Sequence, residues 1–265
     1  MIALVFGLLG LIVGSFLNVV ILRFGERSLA GRSACVHCGK QLRGFDMVPV
    51  ASWLVLRGRC RSCRARISIQ YPLVEAATGM LFAGIGAAAL PPAPTALALA
   101  MVALLVCIFV YDLYHTIIPD LWVYSFVALA FLSQFAMSLP LDFSWTLFLF
   151  AGPIAALPLF ALWGMSRGAW MGFGDVKLAL GIGWLLGFPY GLIAIFLGFL
   201  IGAVVSVGIL LPLPHIIRFF GITNLEGRGA PLTMKSEVPF GPFLITSCLL
   251  IWFLLLYNVP VPLLI

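Results

Sequence analysis

Apolar residues in this chain come in long unbroken runs rather than in alternation. Runs of about 17 to 25 residues, able to cross the roughly 30 Å hydrocarbon layer as helices, recur along most of the sequence. A transmembrane barrel requires strands that alternate apolar and polar positions, and these runs do not alternate. The pattern predicts an all-α polytopic membrane protein with about eight transmembrane helices. In order they are 1–22, 71–90, 95–111, 120–139, 144–163, 175–187, a seventh ending near 213, and 239–257. The domains expected are a first transmembrane helix (1–22), a small cytoplasmic zinc-binding domain (23–70) and a seven-helix membrane domain (71–265).

Composition supports the membrane reading. The 265 residues are 63% hydrophobic and 9% charged, against about 25% charged in soluble domains. The first run is preceded by no basic segment and followed by no small-residue cleavage site, so it reads as an uncleaved helix with its N-terminus outside. Arg23 to Gln70 holds ten basic and two acidic residues, a net charge of +8, and so belongs in the cytoplasm by the positive-inside rule. Under the eight-helix scheme all fifteen Lys and Arg fall on the inner side, and of nine acidic residues only Asp142 falls outside. Gly10-xxx-Gly14, Gly183-xxx-Gly187 and Gly198-xxx-Gly202 have the spacing that permits close helix contact. No clear internal repeat is read.

The cytoplasmic segment carries Cys35-Val36-His37-Cys38 and Cys60-Arg61-Ser62-Cys63. Two such pairs supply four thiolates for one tetrahedral zinc. Disulfides are disfavoured in the cytoplasm. Four thiolates leave no open coordination position, so the zinc is structural, and it would supply folding energy to a segment too polar to build a core. Cys107 and Cys248 lie in apolar helices and receive no role.

The acidic residues carry the remaining chemistry. Asp120, after Pro119, is placed to cap its helix, and Asp175 can be read as a cap in the same way. Glu75 is expected to reach the interface or to pair with a basic group. Asp112 ends an apolar run, where the helix macrodipole disfavours negative charge. A partner carboxylate resolves this, because two carboxylates in one site share a proton. The ionised member can then activate water while the protonated one polarises a carbonyl. Asp112 and Asp175 both fall at the inner ends of their helices. Gly172, Gly174 and Lys177 support Asp175. Two rivals stand beside an aspartic protease: a proton-coupled transporter using Asp112 and Asp175 as a relay, and a non-catalytic assembly protein with partner-binding knuckles. Acidic groups gathered at one face favour the protease.

The chain resembles the type IV prepilin peptidases. The resemblance rests on Gly14-Ser15-Phe16-Leu17-Asn18-Val19-Val20-Ile21, the two cysteine pairs, Leu56-Arg57-Gly58-Arg59-Cys60-Arg61 and Tyr71-Pro72-Leu73-Val74-Glu75. It continues through Tyr111-Asp112, Ile118-Pro119-Asp120 and Gly172-Phe173-Gly174-Asp175-Val176-Lys177. Val36 departs from the proline that many relatives carry, though proline is not a ligand. The resemblance implies that Asp112 and Asp175 are the catalytic pair, as in the wider Gly-x-Gly-Asp group that includes presenilin. It also implies cleavage of prepilins or pseudopilins after a glycine ending a short basic leader, in the bacterial cytoplasmic membrane. S-adenosylmethionine-dependent N-methylation of the new N-terminus is implied as well. The +8 segment should repel a basic leader, which assigns its charge to topology and anionic lipid. Substrate recognition is then left to the apolar helix and to exposed acidic groups such as Glu75. No nucleic-acid partner is expected.

Overall fold

Residue 2 begins the first helix, and the apolar run read from sequence continues in it without a break. A computed structural model of the protein describes residues 1–25, 28, 31–137, 145–210 and 239–260. Helix α1 is Ile2–Arg23, with Arg23 in its last turn where the macrodipole favours a cation. A single turn, α2, covers Ala51–Val55. Next come α3 (Gln70–Ala87) and α4 (Pro92–His115). Pro92 opens α4 at the one position where its missing N–H costs nothing. The series continues with α5 (Asp120–Met137), α6 (Trp145–Ser166), α7 (Phe173–Leu186), α8 (Tyr190–Val205) and α9 (Gly241–Leu256).

The described residues therefore form eight helices of 14 residues or more, as the apolar runs predict. Ile2–Arg23, Pro92–His115, Leu149–Ser166 and Tyr190–Gly208 are long and apolar enough to cross a membrane, while Asp120–Ser133 and Gly241–Leu256 are apolar but shorter. This is an all-helical, polytopic membrane protein. The expected outer turn at 140–142 and the polar loop at 215–238 lie outside the described residues. So do Arg27, Arg218, Arg228, Lys235 and Asp142, on which part of the charge argument rests.

The chain divides into two compact units, Met1–Val110 and Tyr111–Ile265. In the first, α1 packs along α3 through small residues. A methyl group on Gly10 would stand 2.7 Å from the Thr78 carbonyl oxygen, and one on Gly14 would stand 2.8 Å from Glu75 Cα. The Gly10-xxx-Gly14 spacing is thus a real helix contact. Asn18 is buried beside it and donates from Nδ2 to the carbonyls of Gly14 and Tyr71.

In the second unit α7 is central, touching α5, α6, α8 and α9. Leu178, Ala179 and Ile182 on α7 are fully buried. Gly183 lies against Ala151 and Gly152 of α6, and Gly198 of α8 against Leu244 and Ser247 of α9. Asp175 thereby sits on a helix packed from several sides among the described residues.

Two glycines one turn apart should respond differently to the same change. Gly10→Ala pushes into backbone that cannot yield and is expected to cost about 1–3 kcal/mol. Gly7→Ala meets the Ala83 side chain at 3.4 Å and the Gly79 carbonyl oxygen at 3.7 Å, both ordinary contacts. Thermal unfolding in detergent should show a lowered midpoint for the first and almost no change for the second.

Candidate active site and cysteine centre

Asp112 stands three residues before the end of α4, one turn from His115. Asp175 stands in the first turn of α7, whose N-cap is Gly172 with no side-chain cap bond. The helix begins two residues earlier than sequence suggests, so Asp175 is inside it rather than capping it. Both carboxylates are buried, Asp112 at 4% and Asp175 at 8% exposure. The end of α4 that carries Asp112 and the first turn of α7 that carries Asp175 share one neighbourhood, because Ile118 packs against Gly174 of α7 and beside Gly241, the residue next to Asp112.

A third element completes the site, and sequence reasoning missed it. The backbone N–H of Gly241, at the start of α9, donates to Asp112 Oδ2 at 3.1 Å. Only glycine fits there, because a methyl group on Gly241 would stand 2.5 Å from Asp112 Oδ2 and 3.3 Å from Ile118 Cδ1. Ile118 also fills the space beside Gly174, where a methyl group would stand 2.9 Å from Ile118 Cβ. One buried isoleucine thus sets how closely the start of α7 and the start of α9 approach. The signal was present as Pro239-Phe240-Gly241-Pro242, a glycine between prolines at the head of an apolar run.

Gly172 faces Asp175 more loosely, its Cβ position lying 3.8 Å from Asp175 Oδ2. Lys177 points elsewhere. Its Nζ donates to Asp120 Oδ1 at 2.6 Å and lies 4.8 Å from the centre of the Tyr124 ring and 5.3 Å from that of Phe173. Asp120, expected as a cap, opens α5 and ties it to α7. Tyr111 stacks on His115 at 4.3 Å and meets the Trp122 ring edge-on, bracing the turn of α4 that carries Asp112.

The cysteine segment belongs to the first unit. The Sγ atoms of Cys35, Cys38, Cys60 and Cys63 lie within 4.8 Å of one another, and those of Cys35 and Cys63 are 3.8 Å apart. Four sulfurs at about 2.3 Å from a tetrahedral metal would be separated by about 3.8 Å, so the donor set fits a metal site of four thiolates. The two pairs are built alike. Cys35 N–H donates to Lys40 O and Gly39 N–H to Cys35 O; Cys60 N–H donates to Ala65 O and Arg64 N–H to Cys60 O. Ser33 pairs with Leu42 as Gly58 pairs with Ile67. Gly39 and Arg64, each directly after the second cysteine, both have positive φ, at 68° and 60°. This is a structural repeat, and the sequence hides it because Gly39 corresponds to Arg64.

Backbone N–H groups of Cys38 and His37 pull the Cys35 thiol down to about 6. Those of Cys63 and Ser62 lower Cys60. The Ala65 N–H pulls the Cys63 thiol down, but the neighbouring sulfurs of Cys60, Cys38 and Cys35 help to outweigh it and raise Cys63 to about 11. Crowded sulfurs that cannot all ionise are what a cation would relieve. Arg61 pairs with Asp46 at 2.8 Å and holds that carboxyl below its usual range.

Glu75 corrects an expectation. It is buried, not exposed, and its Oε2 accepts the N–H of Val50 at 2.7 Å.

Residues 8–88 match the bacterial peptidase A24 N-terminal domain, and residues 99–207 match the type IV leader peptidase family. The chain is 32% identical over 279 residues to a prepilin leader peptidase/N-methyltransferase of Burkholderia pseudomallei, covering 89% of this chain and 80% of that one. The chain belongs to the type IV leader peptidase family. A family member of the same name from Bacillus subtilis is 30% identical over 91% of this chain and 90% of its own. Another, from Aeromonas hydrophila, is 29% identical over 89% and 85%. No solved structure matches the chain. The family resemblance carried by the motifs is thereby borne out, and neither rival reading is favoured.

The Asp120–Lys177 pair gives a modest expectation. Asp120 is 68% exposed, so its bond is screened and Asp120→Asn should cost less than about 1 kcal/mol. A double-mutant cycle with Lys177→Met, read by thermal unfolding, should return a coupling of about 0.2–1 kcal/mol.

Proposed function

We propose that this protein is an intramembrane aspartic endopeptidase that removes the basic leader of type IV prepilins or pseudopilins after a glycine at the cytoplasmic membrane boundary. The observation that carries the reading is the buried Asp112–Asp175 pair with a backbone donor on one member. Asp112 and Asp175 act as the catalytic pair. An N–H donor at a helix N-terminus supports an ionised oxygen, so Asp112 is the base and Asp175 the proton donor.

Asp112 takes a proton from water, and the resulting hydroxide bonds to the scissile carbonyl carbon as Asp175 gives its proton to the carbonyl oxygen. The gem-diol then collapses. Asp112 returns its proton to the leaving nitrogen, Asp175 takes one from a gem-diol hydroxyl, and the C–N bond breaks. The pair ends as it began. A glycine at the cleavage site disfavours helix by about 1 kcal/mol, which helps expose the bond where a pilin helix enters the membrane.

Methylation of the new N-terminus with S-adenosylmethionine is the second activity, suggested by the names of the relatives. Zinc, held by Cys35, Cys38, Cys60 and Cys63, supports the cytoplasmic segment 23–70 as a fold element. With four thiolates it has no place in the peptide chemistry. The protein sits in the bacterial cytoplasmic membrane with this segment in the cytoplasm, where its charge meets anionic lipid.

Cleavage of a prepilin in membranes tests the pair. Asp112→Asn and Asp175→Asn should each lower the rate by about 100- to 10,000-fold in protein that unfolds at the normal temperature. Near-normal cutting by either variant would end the assignment. Metal analysis of purified protein should give one zinc per chain, falling towards none in a Cys35→Ser/Cys60→Ser variant. That variant is expected to keep cleavage and lose methylation if the two activities are separable.

A further inference from the structure

The stretch between the two cysteine pairs presents an apolar surface that nothing among the described residues covers. Phe45 is 84% exposed, Leu54 61% and Val55 78%, with Met47 and Val48 exposed beside them. Phe45, Val48, Val55 and Leu56 border an open groove of about 260 Å³ that also reaches Arg61. In a segment of net charge +8 such a surface is anomalous if it faces water.

Its place in the fold says what it meets. Val50 N–H reaches Glu75, a residue more than a turn inside α3. Glu75 Cα lies 2.8 Å from where a Gly14 side chain would begin, well inside the membrane span α1. Trp53, on α2, donates from its indole nitrogen to Ile67 O at 3.3 Å, just before α3 starts. Helix α2, with the turn Gly44–Met47 packed on it, is thus laced to α3, which itself packs along the membrane span α1. An indole at that level is a common interfacial anchor. Exposed Arg43, Arg57 and Arg59 flank the apolar residues in sequence, the arrangement of an element that lies in the headgroup boundary of an anionic leaflet.

We propose that residues 44–56 form an interfacial membrane-inserting element, with Phe45, Leu54 and Val55 dipping into an anionic phospholipid leaflet. Glu75 fixes its level by holding Val50. This rests on the membrane reading of the chain and not on its peptidase activity.

Photocrosslinking of the full-length protein in lipid nanodiscs tests it. With p-benzoylphenylalanine in place of Phe45 or Val55, both exposed and so tolerant of change, irradiation should yield phospholipid adducts detectable by intact mass. The adduct yield should be several-fold higher in phosphatidylglycerol discs than in phosphatidylcholine discs, and Arg43→Gln with Arg57→Gln and Arg59→Gln should remove that difference. Crosslinks to a second copy, or to added prepilin in place of lipid, would overturn the proposal. So would an adduct yield that ignores lipid charge. Prepilin cleavage measured on the same samples reports separately on the catalytic reading.

Discussion

The contact on which the second unit turns is the approach of Gly241 to Asp112. A buried carboxylate without partners is costly enough that it would ordinarily neutralise. Here one oxygen accepts an N–H from the first turn of α9, and only a residue without a side chain lets that N–H come near enough. The same requirement runs through Ile118 to Gly174, so α4, α7 and α9 are fitted to one another around a single isoleucine. Substitution at Gly174 would press on Ile118, and substitution at Gly241 would press on the Asp112 carboxylate itself. The chemistry of the site therefore depends on backbone packing as much as on its two aspartates.

Within the membrane units, association cannot draw on the hydrophobic effect between helices, because lipid is as apolar as leucine. Close backbone contact takes its place, and the glycine spacings Gly10-xxx-Gly14 and Gly198-xxx-Gly202 supply it. The central position of α7 follows from this economy of size. Gly181 faces Phe126 of α5 and Gly183 faces Ala151 and Ala155 of α6, so a short helix is gripped from several sides. Rigid burial of that kind suits a helix whose first turn must hold an acid at a fixed place. The ion pair of Lys177 with Asp120 adds a polar tie at its exposed edge.

Much of this was legible in sequence because the signals were long or chemically singular. Unbroken apolar runs define helices by length, and Cys-x-x-Cys twice over defines a donor set. Asp112 and Asp175 stood out because charge is rare in such runs. What stayed hidden depended on contacts between distant residues. Gly241 drew no notice inside the run 239–257, because its role is set by a carboxylate 129 positions earlier. The likeness of the two knuckles is carried by backbone hydrogen bonds and by φ, which Arg64 adopts as Gly39 does. Asp120 read as a cap because a helix start explains an aspartate locally, whereas its partner lies on another helix. Glu75 read as exposed for the same reason.

Glu75 shows how far a misread residue can change a functional argument. As an exposed acid it would have been a site for a basic leader. Buried, with Oε2 held by the Val50 N–H, it instead ties the cysteine-bearing segment to α3. Recognition of a basic peptide must then come from elsewhere or be dispensable. The second follows naturally if the substrate is held by its apolar helix in the bilayer. On that account the positive charge of the leader and of the segment near it are both addressed to the same anionic leaflet. Each is drawn to the membrane surface, and their mutual repulsion is screened there by lipid headgroups. In the proposed function the scissile bond would be brought to the aspartates by depth in the membrane, with no salt bridge between enzyme and leader needed to place it.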